Sequence, residues 1–194
     1  MLTIPLFPLN LVILPYEYLP LHIFEPRYKT MIKNSIEEDT PFGIILSQDD
    51  EMYSKGCRVK VTEVYKKYHT GEYDILVKGV ERFKVFDTKK DGETVIGEIE
   101  YIPLIQNQDN ALIDLLQDSY LRVLLKLGIN TDLELHMKKK ISYEFVQGFE
   151  LPLQIKKKLI SIDNENKRLH FINNIFENIL SSELKIKNSD LPEA

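Results

Sequence analysis

Residues 5–28 read PLFPLNLVILPYEYLPLHIFEPRY, and the way this stretch folds decides the architecture. It is greasy enough to suggest a membrane anchor, yet it holds five of the chain's nine prolines, at 5, 8, 15, 20 and 26. Its uninterrupted apolar runs fall far short of the ~20 residues that a spanning helix needs. No basic residue precedes Arg27 and there is no small-residue cleavage site, so the stretch reads as neither a transmembrane helix nor a signal peptide. Proline locks the backbone and removes a donor, which favours short extended pieces with turns between them. LNLVIL reads as a buried strand and YLPLHIF as a second extended piece. Pro26 is different, because proline suits the first turn of a helix. From there EPRYKTMIKNSIEED turns helical, with Tyr28, Met31, Ile32, Ser35 and Ile36 on one face and a break at Thr40-Pro41.

Outward from this stretch the pattern is first one of strands. PFGIILS is a strand, and CRVKVTEVYKKY and YDILVKGVERFKVF form a hairpin joined by His69-Thr70-Gly71-Glu72. The first of these changes phase between Val61 and Val64, which predicts a bulge that bends it. DTKKDGET is a further turn and leads into VIGEIEYIPL. Hairpin-like spacings leave no room for crossover helices, so a compact β-barrel is favoured over a parallel sheet. After QNQDN the period lengthens. Helices are predicted over 109–127, ending at Gly128, and over 132–149, 153–161 and 164–184, the last with Leu169, Ile172, Phe176 and Ile179 on one face. The expected organisation is α+β: a barrel lobe over 1–104 with one short helix, a helical lobe over 105–186, and a flexible tail over 187–194.

At 194 residues the chain can bury a real core, and a hydrophobic share of 43% with 28% charged places it among globular proteins. Neither half carries a positive excess, with 13 basic against 17 acidic residues in 1–104 and 12 against 13 in the remainder. A nucleic-acid surface, which depends on clustered Lys and Arg, is not expected. The Lys triplets at 138–140 and 156–158 would fan around a helix and read as solvated faces. A single cysteine excludes an internal disulfide framework and fits a reducing, cytoplasmic setting. Cys57 alternates with Val59 and Val61 and reads as a core thiol. Histidines at 22, 69, 136 and 170 lack metal-ligand spacing, so neither a metal nor a cofactor is expected, and His22 reads as a half-buried structural residue.

IPLFPLNLVILPYEYLPLHIFEPRYKTMI, followed by YSKGCRVKVTEV and YDILVKGVERFKVF, resembles the N-terminal domain of the Lon (La) ATP-dependent protease family. SYEFVQGFELPLQIKKKLISIDNENKRLHFI is similar to the family's helical lobe, and together the resemblance covers about residues 2–184. It is closest to short bacterial proteins made of that domain alone. The family usually has Gly-Thr where this chain has Gly56-Cys57, which points to a packing position.

The resemblance implies a PUA-like pseudo-barrel followed by a helical bundle, and a non-catalytic module that recognises unfolded or exposed apolar polypeptide, or a protein partner. Neither the G-x-x-x-x-G-K-[ST] loop of an ATPase nor the Ser–Lys pair of the family's peptidase is found, so no enzymatic activity is expected. By the same resemblance Glu25, Arg27 and Tyr28 are candidate polypeptide-binding residues. Their structural alternatives are an acidic residue at a helix N-terminus, an arginine pairing across the barrel and a tyrosine on the helix's apolar face. Phe7 and Phe24 could join an apolar patch, though each reads more simply as core. Arg82 and Gly79 in KGVERF read as a paired or solvated arginine beside a strand kink. A homodimer is compatible with this reading. The alternative function is that of an RNA-binding PUA-like module.

Overall fold

The computed structural model describes residues 2–49, 51–104, 108–130 and 132–182. The predicted tail and part of the linker that follows the strands lie outside the described residues. Six strands, β1 (Leu2–Leu9), β2 (Tyr18–Ile23), β3 (Phe42–Gln48), β4 (Glu51–Lys67), β5 (Tyr73–Asp91) and β6 (Thr94–Ile102), form one sheet. Its order is β2-β5-β4-β3-β1-β6, and β5 also pairs with β6. A helix α1 (Pro26–Glu38) sits between β2 and β3, while α2 (Asn110–Lys126), α3 (Leu133–His136), α4 (Leu153–Ser161) and α5 (Glu165–Ser181) follow the strands.

β1 runs straight through Pro5 and Pro8, where shorter pieces were expected. The register explains how. β1 pairs with β6 over Leu2–Leu6 and with β3 over Leu6–Leu9, so each proline has one unpaired side to which its missing donor can be assigned. The strand expected at LNLVIL does not form: β1 ends at Leu9, and Val12, Ile13 and Leu14 are buried as irregular chain. The β1–β3 pairing is parallel, so α1 serves as a crossover helix, which the hairpin spacings had seemed to exclude.

Elsewhere the local signals hold. Pro26 opens α1, and Tyr28, Met31, Ile32 and Ser35 are buried, although Ile36 stays 36% exposed. The β4–β5 hairpin closes through Gly71 at φ 81°, and the register shifts between Val61 and Glu63 where the phase change predicted a bulge. Gly79 is required by a close approach, since a Cβ there would lie 2.2 Å from the Leu14 carbonyl oxygen. Its N–H donates to Glu17 O and its carbonyl accepts from Tyr16 N, each at 2.8 Å, which holds the turn before β2 against β5.

The helix expected over 132–149 is a correction. Only Leu133–His136 is α-helical, followed by a 3₁₀ turn at Ser142–Val146. Glu144 reaches back to accept from the backbone N–H groups of Lys140 and Ile141, and Ser142 N donates to Glu165, so the chain between is drawn out of the helix. Lys138–Lys140 therefore lie on no helix. Nor is the second triplet merely solvated, because Lys156 is ion-paired with Glu17.

One core cluster runs from the sheet into the helices, including Phe42, Ile75 and Val77 beside Tyr120, Phe145, Leu169 and Phe176. Arg82 is part of this junction and is fully buried rather than solvated. Its Nη1 donates to Ile160 O (3.1 Å), Ile162 O (2.8 Å) and Asp163 Oδ1 (3.4 Å), and its Nη2 to Pro103 O (3.4 Å). Removing Arg82 leaves the carbonyl oxygens of Ile160 and Pro103 without this donor, at about 1–3 kcal/mol for each buried group left unpaired, whereas exposed ion pairs are worth about 1 kcal/mol or less. Arg82→Met is therefore expected to lose several kcal/mol in urea unfolding, while Arg58→Met, which breaks the more exposed Arg58–Glu81 pair, stays close to the parent.

Cys57 is fully buried, and desolvation pushes its thiol from 9.0 up to about 12. Between those values the unfolded chain releases a proton that the folded chain keeps, so stability falls as pH rises, by about 1.4 kcal/mol per unit for one such group. Urea midpoints measured between about pH 8.5 and 10, below the range in which the buried tyrosines would add a slope of the same sign, should show this slope in the parent. It should be absent from Cys57→Ala.

Candidate binding surface

Glu25 is the N-cap of α1, Pro26 its first residue, and Arg27 and Tyr28 complete the first turn. Arg27 does not pair across the sheet. Its Nε (2.9 Å) and Nη2 (2.6 Å) both reach Glu25 Oε2, two residues back, and its guanidinium lies 4.7 Å from the Tyr28 ring centroid. The hydrogen bond that Arg27 donates to the Glu25 carboxylate raises the Arg27 pKa above its ordinary value. Both charged side chains remain accessible, whereas Tyr28 is 4% exposed, its ring 4.1 Å from that of Phe7. Burial raises the Tyr28 phenol pKa. The three candidates are thus adjacent but unlike: an exposed ion pair standing on a buried ring.

The turn between β5 and β6 folds against this corner, with Thr94 Oγ1 donating to Arg27 O at 3.4 Å. Glu25, Pro26 and Arg27 then form one wall of a cleft of about 410 Å³, and Lys90, Glu93 and Val95 the other. Sequence reasoning marked DTKKDGET only as a turn. Its position beside α1 depends on long-range pairing of β6 with β1, which leaves no local trace.

Phe7 is core, as expected, but Phe24 is 59% exposed and stacks on His22. His22 is not half-buried. It stands on the sheet surface, where its Nδ1 lies 2.6 Å from Asp74 Oδ1, and Tyr68 donates to the other carboxylate oxygen. The His22 hydrogen bond, with that from Tyr68, holds Asp74 below the ordinary carboxylate range. Tyr18, Pro20, His22 and Phe24 are all exposed, at every second position.

A larger, mostly apolar cleft of about 490 Å³ lies where the sheet meets the chain leading to α2, lined by Tyr16, Lys78–Glu81 and Ile102–Leu104. Another of about 340 Å³ runs from Tyr16–Tyr18 to Gln147–Glu150. Tyr16 borders both with φ 68°, a conformation rare for a bulky side chain. It is held there by its N–H on Gly79 and by Gln147 Nε2 donating to its carbonyl oxygen. Among the described residues no group of three or more His, Cys, Asp or Glu is placed to hold a metal ion, and no helix is long and apolar enough to cross a membrane.

The family model for the ATP-dependent protease La (Lon) substrate-binding domain matches residues 3–187. The chain belongs to this family. Among curated relatives, the Lon protease of Buchnera aphidicola subsp. Schizaphis graminum is 23% identical over 208 residues, which cover 96% of this chain. The Lon protease of Buchnera aphidicola subsp. Acyrthosiphon pisum is 24% identical over an equal span. In each case the chain spans 27% of the relative's length, about a quarter. The N-terminal domain of Mycobacterium avium complex Lon protease superposes with a TM-score of 0.74 at 16% identity, covering 91% of this chain and 98% of that one. A Lon N-terminal domain protein from Xanthomonas campestris gives 0.68 at 22% identity, covering 89% and 97%. At such identities the superpositions speak for the fold. They match the mixed sheet-then-helix order seen here.

The unequal burial of the three candidates gives an expectation for their substitution. Removing a buried aromatic costs about 3–5 kcal/mol, so Tyr28→Ala should strongly lower the urea midpoint. Glu25→Ala and Arg27→Ala break an exposed pair worth about 1 kcal/mol or less. Their midpoints should stay near the parent's, which makes this pair the usable probe of binding.

Proposed function

We propose that this Lon substrate-binding domain holds unfolded or locally extended polypeptide, and that it binds its client without catalysing a reaction on it. The observation that carries the reading is the exposed aromatic run Tyr18–Phe24, which leads directly into the Glu25–Arg27 pair in a chain of a substrate-binding family. Large apolar groups left open beside charged ones suit a contact that buries apolar area, at roughly 25 cal/mol per Å² before ordering costs. Glu25 and Arg27 flank that area, and Tyr28 supports Arg27 from below. The ring of pairings from β5 through β4, β3, β1 and β6 back to β5 supports the PUA-like pseudo-barrel as its frame. On this reading residues 1–104 are the gripping lobe and 105–186 a bracing helical lobe, working in the cytoplasm.

The reading assigns no step of bond making to the clefts, in keeping with a substrate-binding family. The test uses the full chain and fluorescein-labelled, reduced and carboxymethylated α-lactalbumin as an unfolded probe. Saturable binding is expected by anisotropy, with native α-lactalbumin failing to compete. Loss of one exposed charged pair typically weakens an interface by about threefold to tenfold, and that is the effect expected of Glu25→Ala with Arg27→Ala. If the unfolded probe shows no saturable binding, the reading is wrong; if only the double variant behaves like the parent, the Glu25–Arg27 corner drops out of it.

A further inference from the structure

Among the described residues, five of the six strands have a partner on both sides for at least part of their length, and β2 alone has one, β5. We propose that the outer edge of β2 is the place where a client polypeptide binds, by adding to the sheet as a further strand. The inference rests on the reading of this chain as a polypeptide binder and gives it a location and a geometry.

The direction of the β2 backbone follows from the ladder. Thr62 Oγ1 of β4 donates to Leu76 O at 3.1 Å, so Leu76 turns its carbonyl toward β4 and away from β2. Pro20 is the partner of Leu76 in β2. In an antiparallel pair, opposed residues either exchange both bonds or turn both sets of groups away. Pro20 therefore faces its backbone outward, where its missing N–H costs the sheet nothing. By alternation Tyr18 and His22 face outward as well. Among the described residues neither makes a backbone hydrogen bond on that side. The open edge thus presents the N–H and C=O groups of Tyr18 and His22 and the carbonyl of Pro20, a template for two-sided recognition by a second strand.

The side chains suit the same occupant. Tyr18, Pro20, His22 and Phe24 recur every second residue on the exposed face, the spacing at which an added strand repeats its own side chains. Lys78 Nζ lies 5.1 Å from the Tyr18 ring centroid and 5.7 Å from that of Tyr16, and Lys66 Nζ lies 4.2 Å from that of Tyr68. Neither lysine has a carboxylate within ion-pair distance among the described residues. The occupant favoured is an extended segment in which apolar or aromatic residues alternate with acidic ones.

The experiment takes the full chain and a short fluorescein-labelled peptide alternating tyrosine and glutamate, with carboxymethylated α-lactalbumin in parallel. Two further peptides carry N-methyl groups on alternate backbone amides, one set on the even positions and one on the odd. A net backbone hydrogen bond contributes about 1 kcal/mol, and several are lost together, so one methylated set is expected to bind about tenfold or more weakly while the other stays within about threefold. Hydrogen exchange at Tyr18 and His22 should slow on binding either probe. Equal binding by both methylated peptides, equal loss by both, or protection confined to residues outside 18–24 overturns the strand-addition proposal. So does a dimer joined through β2, seen by sedimentation, that persists at saturating peptide. Saturable α-lactalbumin binding in any of these cases leaves the broader reading standing, and its absence brings that reading down independently.

Discussion

The fold depends on how the C-terminal end of α4 is finished inside the protein. A helix leaves its last four carbonyls without intrahelical donors, and burying them unpaired would be costly. Here all four are met. Tyr143 OH donates to Leu159 O, Arg82 Nη1 to Ile160 O, Lys55 Nζ to Ser161 O, and Arg82 Nη1 again to the C-cap carbonyl of Ile162. The donors come from the 3₁₀ turn, β5 and β4, so the helix end can be satisfied only when sheet and helices are assembled together. Arg168 completes the arrangement from α5. It donates to Ile162 O, to Leu104 O at 2.8 Å and to Glu165, whose carboxylate also accepts from Ser142 N and Oγ. Two fully buried guanidiniums are thus set against one buried carboxylate, the rim carboxylate of Asp163 and a set of backbone oxygens. Positive charge beside a helix C-terminus is favourable, which offsets part of the desolvation that lowers the Arg82 pKa.

This junction also determines where the sheet can stay open. β5 carries Arg82 at its centre and β2 along its first six positions, so the strand that ties in the helices is the strand that supports the edge. The turn leading into β2 is fastened from the helical side as well: Lys156 of α4 pairs with Glu17, and Gln147 donates to Tyr16 O. Glu17 in turn accepts from Leu14 N at 2.9 Å. β2 is consequently an edge strand with a fixed start, not a loose one. That rigidity lowers the ordering cost that any partner strand would meet.

What the sequence made legible follows from the range of the forces involved. α4 was legible to the residue and α2 to within one, because an apolar face, a capping Asp109 and Gly128 at φ 78° are all local. The bulge after Val61 was legible because a phase slip shows in the alternation itself. The course of β1 through two prolines was not, since it depends on which neighbour each half acquires. The broken segment 132–149 was lost to side chains 20 or so residues away in Glu165 and Arg168, against which a helical period says nothing. For the candidate surface, Glu25 and Arg27 could be picked out from the family resemblance and the burial of Tyr28 from the apolar face of α1, but the exposure of Phe24 could not. Phe7 and Phe24 are the same residue in similar company; only the sheet's inside and outside tell them apart.

The proline in β2 then has a sense beyond tolerance. An exposed edge strand is a hazard because it pairs with a second copy of itself as readily as with anything else. Two β2 edges meeting antiparallel about a twofold axis would bring both Pro20 residues into one ladder, so the missing donor counts twice over a strand of only six residues. A client strand without proline meets the defect once, and supplies donors of its own to Pro20 O. The same residue therefore weakens self-pairing more than client pairing, and Lys78 and Lys66, close to the aromatic face in each copy, add like-charge repulsion to the first case and attraction for acidic residues to the second. Under the proposed strand addition, an edge that accepts other chains while disfavouring its own needs such an asymmetry, and proline at the middle of an otherwise open strand supplies it.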